Sequence, residues 1–471
     1  MQKDPENPFL VLGVLTFTTA LTSYVEAMVI PSLPHIEQAL SATNEEAAWI
    51  VSAYLVVGAA IAPLFGKMGD TFGKKKLYLI SLTLYSLAVL FAGFSPNVYF
   101  LIGSRAIQGF GFSIFPLSIA IITDIFPKER VALAQGILSA MVAIGMTIGI
   151  IAGAYIEEYL GWRAMFHIAF GIALISIIIS YLSIGPHPPV KKEKIDYFST
   201  TLLSIGTALI LIYLTEAPYK GWISLYQLPI IVSGLALFIG FLVYITKSTN
   251  PLIRPDLLKI KNVMVANLAG LFSGVTMFTL YLAVIYYAEE PTPYGLGLSV
   301  INAAFSLLPA TLAMIILAPL VGLAVSSIGP KPVLIYGSIV SLIGFSLFIF
   351  NRSGTLPLVL DSFVTGIGII SIMTPIVNMI AISMPEDSVT VGLGFNTMVR
   401  FLGSSIGPVM TANLMTTYVA YASYYLPKYG FSFFTEAGPV AFNYTFLIGI
   451  IFSFLTFVTA LFMKNYTPKQ K

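Results

Sequence analysis

The chain has 471 residues, of which 57% are hydrophobic and only 10% are charged. Soluble globular proteins carry about 25% charged residues, so this composition excludes a soluble fold and indicates a polytopic membrane protein. A net charge of +3 does not indicate a nucleic-acid partner, and the lack of cysteine excludes disulfides, thiolate metal sites and a cysteine nucleophile.

Fourteen apolar runs are long enough to cross a bilayer, whose core of about 30 Å takes roughly 20 residues. Backbone polar groups must pair internally in lipid, so each run is predicted to be a helix. The runs cover residues 9–31, 47–66, 77–95, 98–122, 131–156, 163–185, 198–215, 226–246, 263–287, 299–325, 332–350, 355–384, 388–418 and 441–463.

The distribution of basic residues predicts that both termini lie in the cytoplasm. In that orientation 18 of the 24 lysines and arginines fall on inner segments and 4 on outer loops, as the positive-inside rule requires. The outer loops are instead acidic. Met1–Pro8 is polar and the first run is of spanning length, so we expect no cleavable signal peptide.

The first run contains one acid, Glu26, eight residues before Pro34. A charge inside a span costs at least about 2.5–3.5 kcal/mol on insertion scales, so it is expected to have a partner and a function. At 1.5 Å per residue, Glu26 lies about 8–12 Å from the outer end of its run.

A short charged turn joins the second and third runs, and it contains three glycines, one acid and four lysines between Ala62 and Leu77. It resembles the signature loop of the major facilitator superfamily, G-x-x-x-D-x-x-G-R/K-R/K-x. The resemblance implies a cytoplasmic gate that latches the two halves of the protein; the alternative is an ordinary positively charged turn. The matching residues are Gly66, Asp70, Gly73, Lys74 and Lys75.

The fourth run contains Arg105, followed by Gln108, Gly109 and Gly111. This order resembles the fourth-helix pattern of the same superfamily, which implies that Arg105 takes part in proton coupling. The alternative is an arginine that snorkels from a helix end. Arg105 lies about 10 Å from the outer start of its run, the same depth as Glu26, so we hypothesise that the two pair in some state of the transport cycle.

Glycines recur at fixed spacing in the fifth and thirteenth runs, and they resemble the antiporter pattern G-x8-G-x3-G-P-x2-G-G. Ile150 replaces the proline in the fifth run, which weakens the case for antiport over symport. Small residues at this spacing let helices pack closely, so ordinary tight packing is the alternative. The matching positions are Gly136, Gly145, Gly149 and Gly153 in the fifth run and Gly394, Gly403, Gly407 and Pro408 in the thirteenth.

The chain also repeats itself. The segment 62–66 matches 318–322 at an offset of 256, and Gly73 matches Gly329 at the same offset. A parallel repeat is the superfamily arrangement, but here the second run matches the tenth, so two extra helices lie between the halves. This resembles the fourteen-helix drug:proton antiporter branch. We therefore predict an all-α membrane protein with six-helix bundles at 1–185 and 263–471 and a two-helix insert at 186–262.

The second half contains two further charges within runs, Asp361 and Arg400. Asp361 is a candidate second proton site, or else an acid close enough to the surface to be hydrated. Arg400 is a candidate for contact with the cargo, or else a hydrogen-bond donor to carbonyls at a helix end.

Aromatic and amide side chains on runs expected to face the cavity are the candidates for substrate contact, since aromatics suit apolar or cationic cargo. Tyrosine is abundant, with 25 residues, so any one of them could equally be a packing or interfacial residue. The candidates are Tyr24, Tyr54, Gln108, Tyr281, Asn378 and Arg400, with Tyr286 beside them.

These patterns predict a proton-coupled secondary transporter that exports small amphipathic compounds by alternating access. The alternatives are a proton-coupled symporter or exporter of one metabolite, and a non-transporting sensor on the same fold. We expect no enzyme activity, no metal and no cofactor, with the proton gradient as the energy source. The expected partners are a small-molecule substrate, protons and the bilayer but no nucleic acid, for a monomer in the plasma membrane.

Overall fold

A computed structural model describes residues 7–185, 196–248, 251, 254–385, 389–426 and 430–465. Long helices dominate this part of the chain, and one antiparallel hairpin interrupts them. The helices are α1 (Pro8–Met28), α2 (Leu33–Leu40), α3 (Asn44–Phe72), α4 (Lys74–Gly93), α5 (Val98–Gln108), the 3-10 helix η1 (Gly109–Ser113), α6 (Ile114–Ile125), α7 (Lys128–Leu160), α8 (Trp162–Ser183), α9 (Tyr197–Lys220), α10 (Gln227–Ile245), α11 (Pro255–Leu258), α12 (Lys261–Glu289), α13 (Val300–Ile328), α14 (Pro330–Phe350), α15 (Thr355–Ser383), α16 (Val389–Thr417) and α17 (Pro439–Leu461), and the strands are β1 (Val419–Leu426) and β2 (Gly430–Ala437).

Eleven helical segments in the described part of the chain are long and apolar enough to cross a membrane, and α5, η1 and α6 together form one of them. Three further long helices, α3, α7 and α16, include side chains outside the described set. A multi-pass helical fold is therefore established, and the number of fourteen spans stays a prediction. Several helices extend beyond the apolar runs, because the polar ends of a spanning helix can project past the hydrocarbon core: α3 continues to Phe72 and α7 begins at Lys128.

Two pairs of helices form the centres of the two halves: α1 packs on α7, and α12 packs on α16. In the first pair Gly145 and Gly149 lie against the backbone of Ala20 and Tyr24. Both glycines leave no room for a side chain. In the second pair the corresponding glycines play the same part: Gly403 lies against Leu271, and Gly407 lies against Val275 and Thr279.

The remaining predicted glycines differ in what surrounds them. Gly153 approaches Met28, where an added Cβ would lie 2.7 Å from its Cα, whereas Gly394 has no neighbour within 4 Å. Gly136 lies outside the described side chains. Pro408 stands inside α16, next to the close approach at Gly407.

The internal repeat is also visible in the turns. Gly73 joins α3 to α4 with φ of 100°, and Gly329 joins α13 to α14 with φ of 92°. Residues with a side chain rarely adopt this left-handed backbone conformation, so both turns require glycine. The two positions are those that the sequence repeat aligns.

The insert, α9 and α10, packs as a pair through Gly206 and Gly234. Helix α9 contacts α3 in the first half and α16 in the second half, and the Ser204 hydroxyl donates to the Ala60 carbonyl. The insert therefore lies along one of the seams between the halves.

Helix α2, the short helix α11 and the β1–β2 hairpin were not anticipated from the sequence. Helix α2 follows α1 at one end of the bundle, and the β1–β2 hairpin lies between α16 and α17 at the same end. We call this end the hairpin face, and the opposite end, which carries the Lys74–Lys76 turn, the lysine face.

We predict that Gly149→Ala lowers the free energy of unfolding by about 1–3 kcal/mol, because a Cβ there collides with the backbone of Tyr24 and overpacks the α1–α7 seam. Thermal unfolding in detergent measures this change. Gly171→Ala is the matched control, since nothing lies within 4 Å of Gly171 on α8 and helical alanine is otherwise favoured over glycine. Equal melting temperatures for the two variants would contradict the role of the seam.

Candidate functional site

The site is built around Glu26, which lies near the end of α1 and is only 8% exposed. Its carboxylate accepts a hydrogen bond from the hydroxyl of Tyr54 on α3. It also experiences the positive charges of Arg105 from its own half and Arg400 from the opposite half. A buried carboxylate needs such partners, because leaving an isolated charge out of water is costly.

Arg105 is 1% exposed and is held by neutral groups as well as by charge. Its Nε donates to the Ile50 carbonyl at 3.0 Å, and its Nη1 donates to Gln108 Oε1 at 2.8 Å. The guanidinium carbon lies 4.6 Å from the centre of the Tyr54 ring, within the range of a cation–π contact. Arg105 is therefore a fixed group inside the bundle and does not reach toward either surface.

Gln108 is fully buried, and its Nε2 also donates to the Ala88 carbonyl on α4. Both ends of its amide are thus engaged within the first half. The structure places this predicted substrate-contact residue beneath Arg105, where it holds the guanidinium.

The hypothesised Glu26–Arg105 pair is present as an electrostatic interaction. Among the described residues the two side chains form no direct salt bridge, since Arg105 gives its hydrogen bonds to other groups. Tyr54 touches both, so it lies between the acid and the base. A direct pair in another state of the cycle stays a prediction.

Arg400 brings the second half into the site. It lies on α16, where Gly274 of α12 leaves room for its carbonyl, and its guanidinium carbon is 5.8 Å from the Phe401 ring centre. Its charge acts on Glu26, so the acid of one half interacts with a base of the other. This electrostatic interaction between the halves could not be read from the sequence.

The other predicted substrate contacts are dispersed. Tyr24 is buried against Gly149, and Tyr281 is buried with its hydroxyl 3.8 Å from Met314 Sδ, in electrostatic range of Glu26. Asn378 lies on α15 with a buried Oδ1 that has no hydrogen-bond partner among the described residues. Only Tyr281 thus joins the surroundings of Glu26 directly.

Asp361 lies on α15 and is 2% exposed. Its Oδ2 is buried and has no hydrogen-bond partner among the described residues. By the repeat offset of 256, Asp361 occupies the position in the second half that Arg105 occupies in the first. The structure does not connect it to the group around Glu26.

The lysine turn makes its described contacts within the first half. Lys74 Nζ lies 2.7 Å from both carboxylate oxygens of Asp124, and Lys75 Nζ donates to the carbonyls of Tyr181 and Ile184. The side chains of Gly66 and Asp70 lie outside the described set. A latch between the halves at this turn therefore stays a prediction.

A cavity of about 1000 Å³ opens on the hairpin face, between the two halves. We call it the acidic vestibule, because glutamates from α2, α7, the end of α12 and the hairpin line it. The acidic outer loops of the sequence were its signal, but their convergence depends on the fold. The lining glutamates are Glu37, Glu157, Glu158, Glu289, Glu290 and Glu436.

Two contacts join the halves across this vestibule. The Tyr286 hydroxyl of α12 donates to the Glu37 carboxylate of α2, and the Ile301 amide of α13 donates to Glu158 Oε2 at 3.2 Å. Both bonds require the two halves to lie close together around the vestibule, and we call this arrangement closed. Tyr286 thus has a partner in the opposite half, a role that the sequence did not indicate.

Burial, which outweighs the lowering effect of the hydrogen bond from Tyr286 and is assisted by the charge of Glu290, raises the pKa of Glu37 to about 7. Burial likewise raises the pKa of Glu290 to about 7. Tyr219 and Glu289 also lie within electrostatic range of Glu37. In the closed arrangement, Glu37 and Glu290 therefore hold protons more tightly than solvated glutamates do.

Comparisons with known proteins agree with this architecture. The family profile described as Major Facilitator Superfamily matches residues 15–408 and 266–471. The chain is 26% identical to the tetracenomycin C resistance and export protein of Streptomyces glaucescens, over 88% of this chain and 77% of that protein. It is 25% identical to the multidrug transporter protein MdtP of Bacillus subtilis, over 88% and 76% respectively.

Among solved structures, the human organic anion transporter MFSD10 (TETRAN) superposes with a TM-score of 0.61. The match covers 95% of this chain and 99% of that one at 14% identity, so it shows a shared fold.

We predict that acid pH closes the hairpin face. Glu37 has a pKa of about 7 when the vestibule is closed and an ordinary value near 4.5 when solvated. Protonation therefore favours closure as pH falls below about 7, and that advantage is lost as pH rises through about 7. Spin labels at Pro96→Cys and Ser353→Cys, on exposed turns of opposite halves in a chain without native cysteine, report the distance between the halves.

The distance distribution should shift toward shorter values at pH about 5.5 relative to pH about 8.5. In the same labelled background Glu37→Gln should reduce this dependence, because the glutamine amide cannot ionise, whereas Glu290, whose pKa is also raised to about 7, still titrates. A pH dependence that is unchanged by Glu37→Gln would contradict this account.

Proposed function

The chain belongs to the Major Facilitator Superfamily of transporters, and on that premise we propose that it exports small amphipathic compounds in exchange for protons. The export direction and multidrug-type cargo are supported by relatives that are named as a resistance and export protein and as a multidrug transporter. Alternating access, in which one half rocks against the other, is the mode of transport in this proposal.

The observation that carries the proposal is the buried group of Glu26, Tyr54 and Arg105, which interacts electrostatically with Arg400 of the opposite half. Glu26 is the member of this group that can gain and lose a proton in the physiological range, because arginine stays charged. Ionised Glu26 attracts both arginines, and protonated Glu26 does not. Proton uptake thus removes one of the interactions that hold the halves in this arrangement.

The proposed cycle follows from this electrostatic link. Protonation of Glu26 weakens its attraction to Arg400 of the opposite half and allows the halves to rearrange. Proton release restores the attraction and resets the protein. Cargo that occupies the space between the halves competes with protonation of Glu26. This competition couples the flux of cargo to the flux of protons.

The aromatic surroundings support an amphipathic cargo. Phe112 of η1 and Phe401 of α16 form a ring contact between the halves, with centroids 4.0 Å apart. Flat apolar surfaces of this kind bind compounds of varied shape, since stacking does not require fixed hydrogen-bond geometry.

A second candidate is a proton-coupled transporter of one anionic metabolite, by symport or export. The described group contains two arginines and one carboxylate, so it carries an excess positive charge when Glu26 is ionised. An anionic cargo would balance that charge. The charge of the transported compounds separates this candidate from the first.

The proposal extends to the arrangement in the membrane. It comprises fourteen spans as in the drug:proton antiporter branch, bundles at 1–185 and 263–471, an insert at 186–262, and a monomer in the plasma membrane with both termini cytoplasmic. The hairpin face is then external and the lysine face internal. Energy comes from the proton gradient, with no cofactor, and Asp361 is a candidate second proton site.

We predict that Glu26→Gln lowers proton-driven export at least tenfold, because the amide can neither ionise nor carry a proton. Expressing cells should be screened against a panel of cationic, neutral and anionic dyes and drugs, with and without a collapsed proton gradient. Flux of the best compound is then measured in proteoliposomes. Glu26→Asp is the matched control and should retain coupling, since it keeps the carboxyl group.

Wild-type uphill flux in Glu26→Gln would show that this carboxyl is not the proton carrier. Asp361→Asn, measured in parallel, tests whether the second carboxyl carries a proton. Export confined to anions would favour the metabolite transporter, and the absence of flux for every compound would favour a non-transporting sensor.

A further inference from the structure

Tyr54 makes two contacts that no other described residue combines. Its hydroxyl donates to the Glu26 carboxylate, and its ring centre lies 4.6 Å from the guanidinium carbon of Arg105. The side chain is only 3% exposed, so it offers little surface to a cargo in this arrangement. It holds the acid and the base apart while keeping both in place.

The position of Tyr54 is itself fixed by close packing. The ring of Phe112, on η1, lies 4.4 Å from the Tyr54 ring between centroids. Phe112 fits there only because Gly58 of α3 has no side chain, and an added Cβ would overlap the ring. Gly109 completes the fit, since a Cβ on it would lie 2.8 Å from the Tyr54 carbonyl oxygen. Two glycines thus bring η1 against α3 behind Tyr54.

Phe112 also contacts the second half. Its ring centroid is 4.0 Å from that of Phe401 on α16, the residue next to Arg400. A movement of α16 away from the first half therefore removes the packing that supports Phe112. The series Phe401–Phe112–Tyr54 runs from the seam between the halves to the carboxylate of Glu26.

We propose that Tyr54 is the positioning residue of the proton site: its hydroxyl stabilises ionised Glu26, its ring holds Arg105, and Phe401 of the opposite half sets its position through Phe112. This inference rests on the proposed role of Glu26 as the proton carrier. It gives Tyr54 a function within the proton site in place of a contact with the cargo. It also provides a physical route by which the separation of the halves changes how tightly Glu26 holds its proton.

The expected effect follows from the hydrogen bond. A donor to a carboxylate stabilises the ionised form, so its loss shifts half-protonation of Glu26 to higher pH. A hydrogen bond to a charged group corresponds to a shift of about 1–2 pH units. Tyr54→Phe removes the hydroxyl and keeps the ring, so packing and the contact with Arg105 should persist.

The experiment measures protonation of Glu26 without requiring a known cargo. Dicyclohexylcarbodiimide reacts with protonated carboxyl groups in apolar sites, and mass spectrometry of the Glu26 peptide gives the extent of labelling at each pH. Wild type, Tyr54→Phe and the unlabelled reference Glu26→Gln are compared as full-length protein in proteoliposomes. The labelling midpoint of Tyr54→Phe should lie about 1 pH unit or more above that of wild type.

Tyr85→Phe is the matched control. Tyr85 is also fully buried within electrostatic range of Glu26 and Arg105, but its hydroxyl has no hydrogen-bond partner among the described residues. Its midpoint should match wild type. A second test uses Phe401→Ala and Phe401→Leu: the alanine should shift the midpoint in the same direction as Tyr54→Phe, and the leucine should shift it less because it keeps apolar contact with Phe112.

A Tyr54→Phe midpoint equal to that of wild type, with unchanged thermal unfolding, would overturn the inference. So would equal shifts for Tyr54→Phe and Tyr85→Phe, because the effect would then not depend on the bond to Glu26. Uphill flux that persists in Glu26→Gln would instead refute the proposed function, so the two failures are distinguishable.

Discussion

The structure depends on the burial of Glu26 and Arg105 in the interior of a helical membrane protein, with the charge of Arg400 acting on Glu26 from the opposite half. Buried charged groups are stable only with partners at short range, and Tyr54, Ile50 and Gln108 of the first half supply these, while Arg400 of the second half adds a favourable charge. In the proposed mechanism the two halves are therefore not merely packed together, because their association depends on the charge of a single carboxyl group.

Close helix packing makes this arrangement possible. The glycines of α7 and α16 allow α1 and α12 to approach until backbone meets backbone, which places Glu26 deep in the seam instead of against lipid. Where the two halves correspond in packing, they differ in chemistry. The backbone of Tyr24 packs against Gly149 as the backbone of Val275 packs against Gly407, so Tyr24 and Val275 are equivalent positions in the two halves. Two residues after them, Glu26 in the first half is therefore equivalent to Met277, an apolar residue, in the second half.

Sequence reasoning located most of the helices and the charged residues of the site, because apolar length and rare intramembrane charges are strong signals. It did not locate helix ends, since polar ends such as that of α3 extend beyond the apolar run. Helix α2 and the hairpin were missed because they are too short to register as spans.

The partnership of Glu26 with Arg400 and the bridging position of Tyr54 depend on how distant segments meet. With 25 tyrosines in the chain, nothing in the local sequence distinguishes the one that contacts Glu26.

The insert affects how a molecule dissolved in the lipid can reach the centre of the protein. Helix α9 lies across the seam where α3 meets α16, whereas α7 and α13 meet directly on the other side. Of these two seams between the halves, the insert thus covers the α3–α16 seam and leaves the α7–α13 seam uncovered. A molecule that approaches from the lipid therefore meets two different entrances. The extra helices make the two sides of the protein unequal in the bilayer plane, which the internal repeat alone would not do.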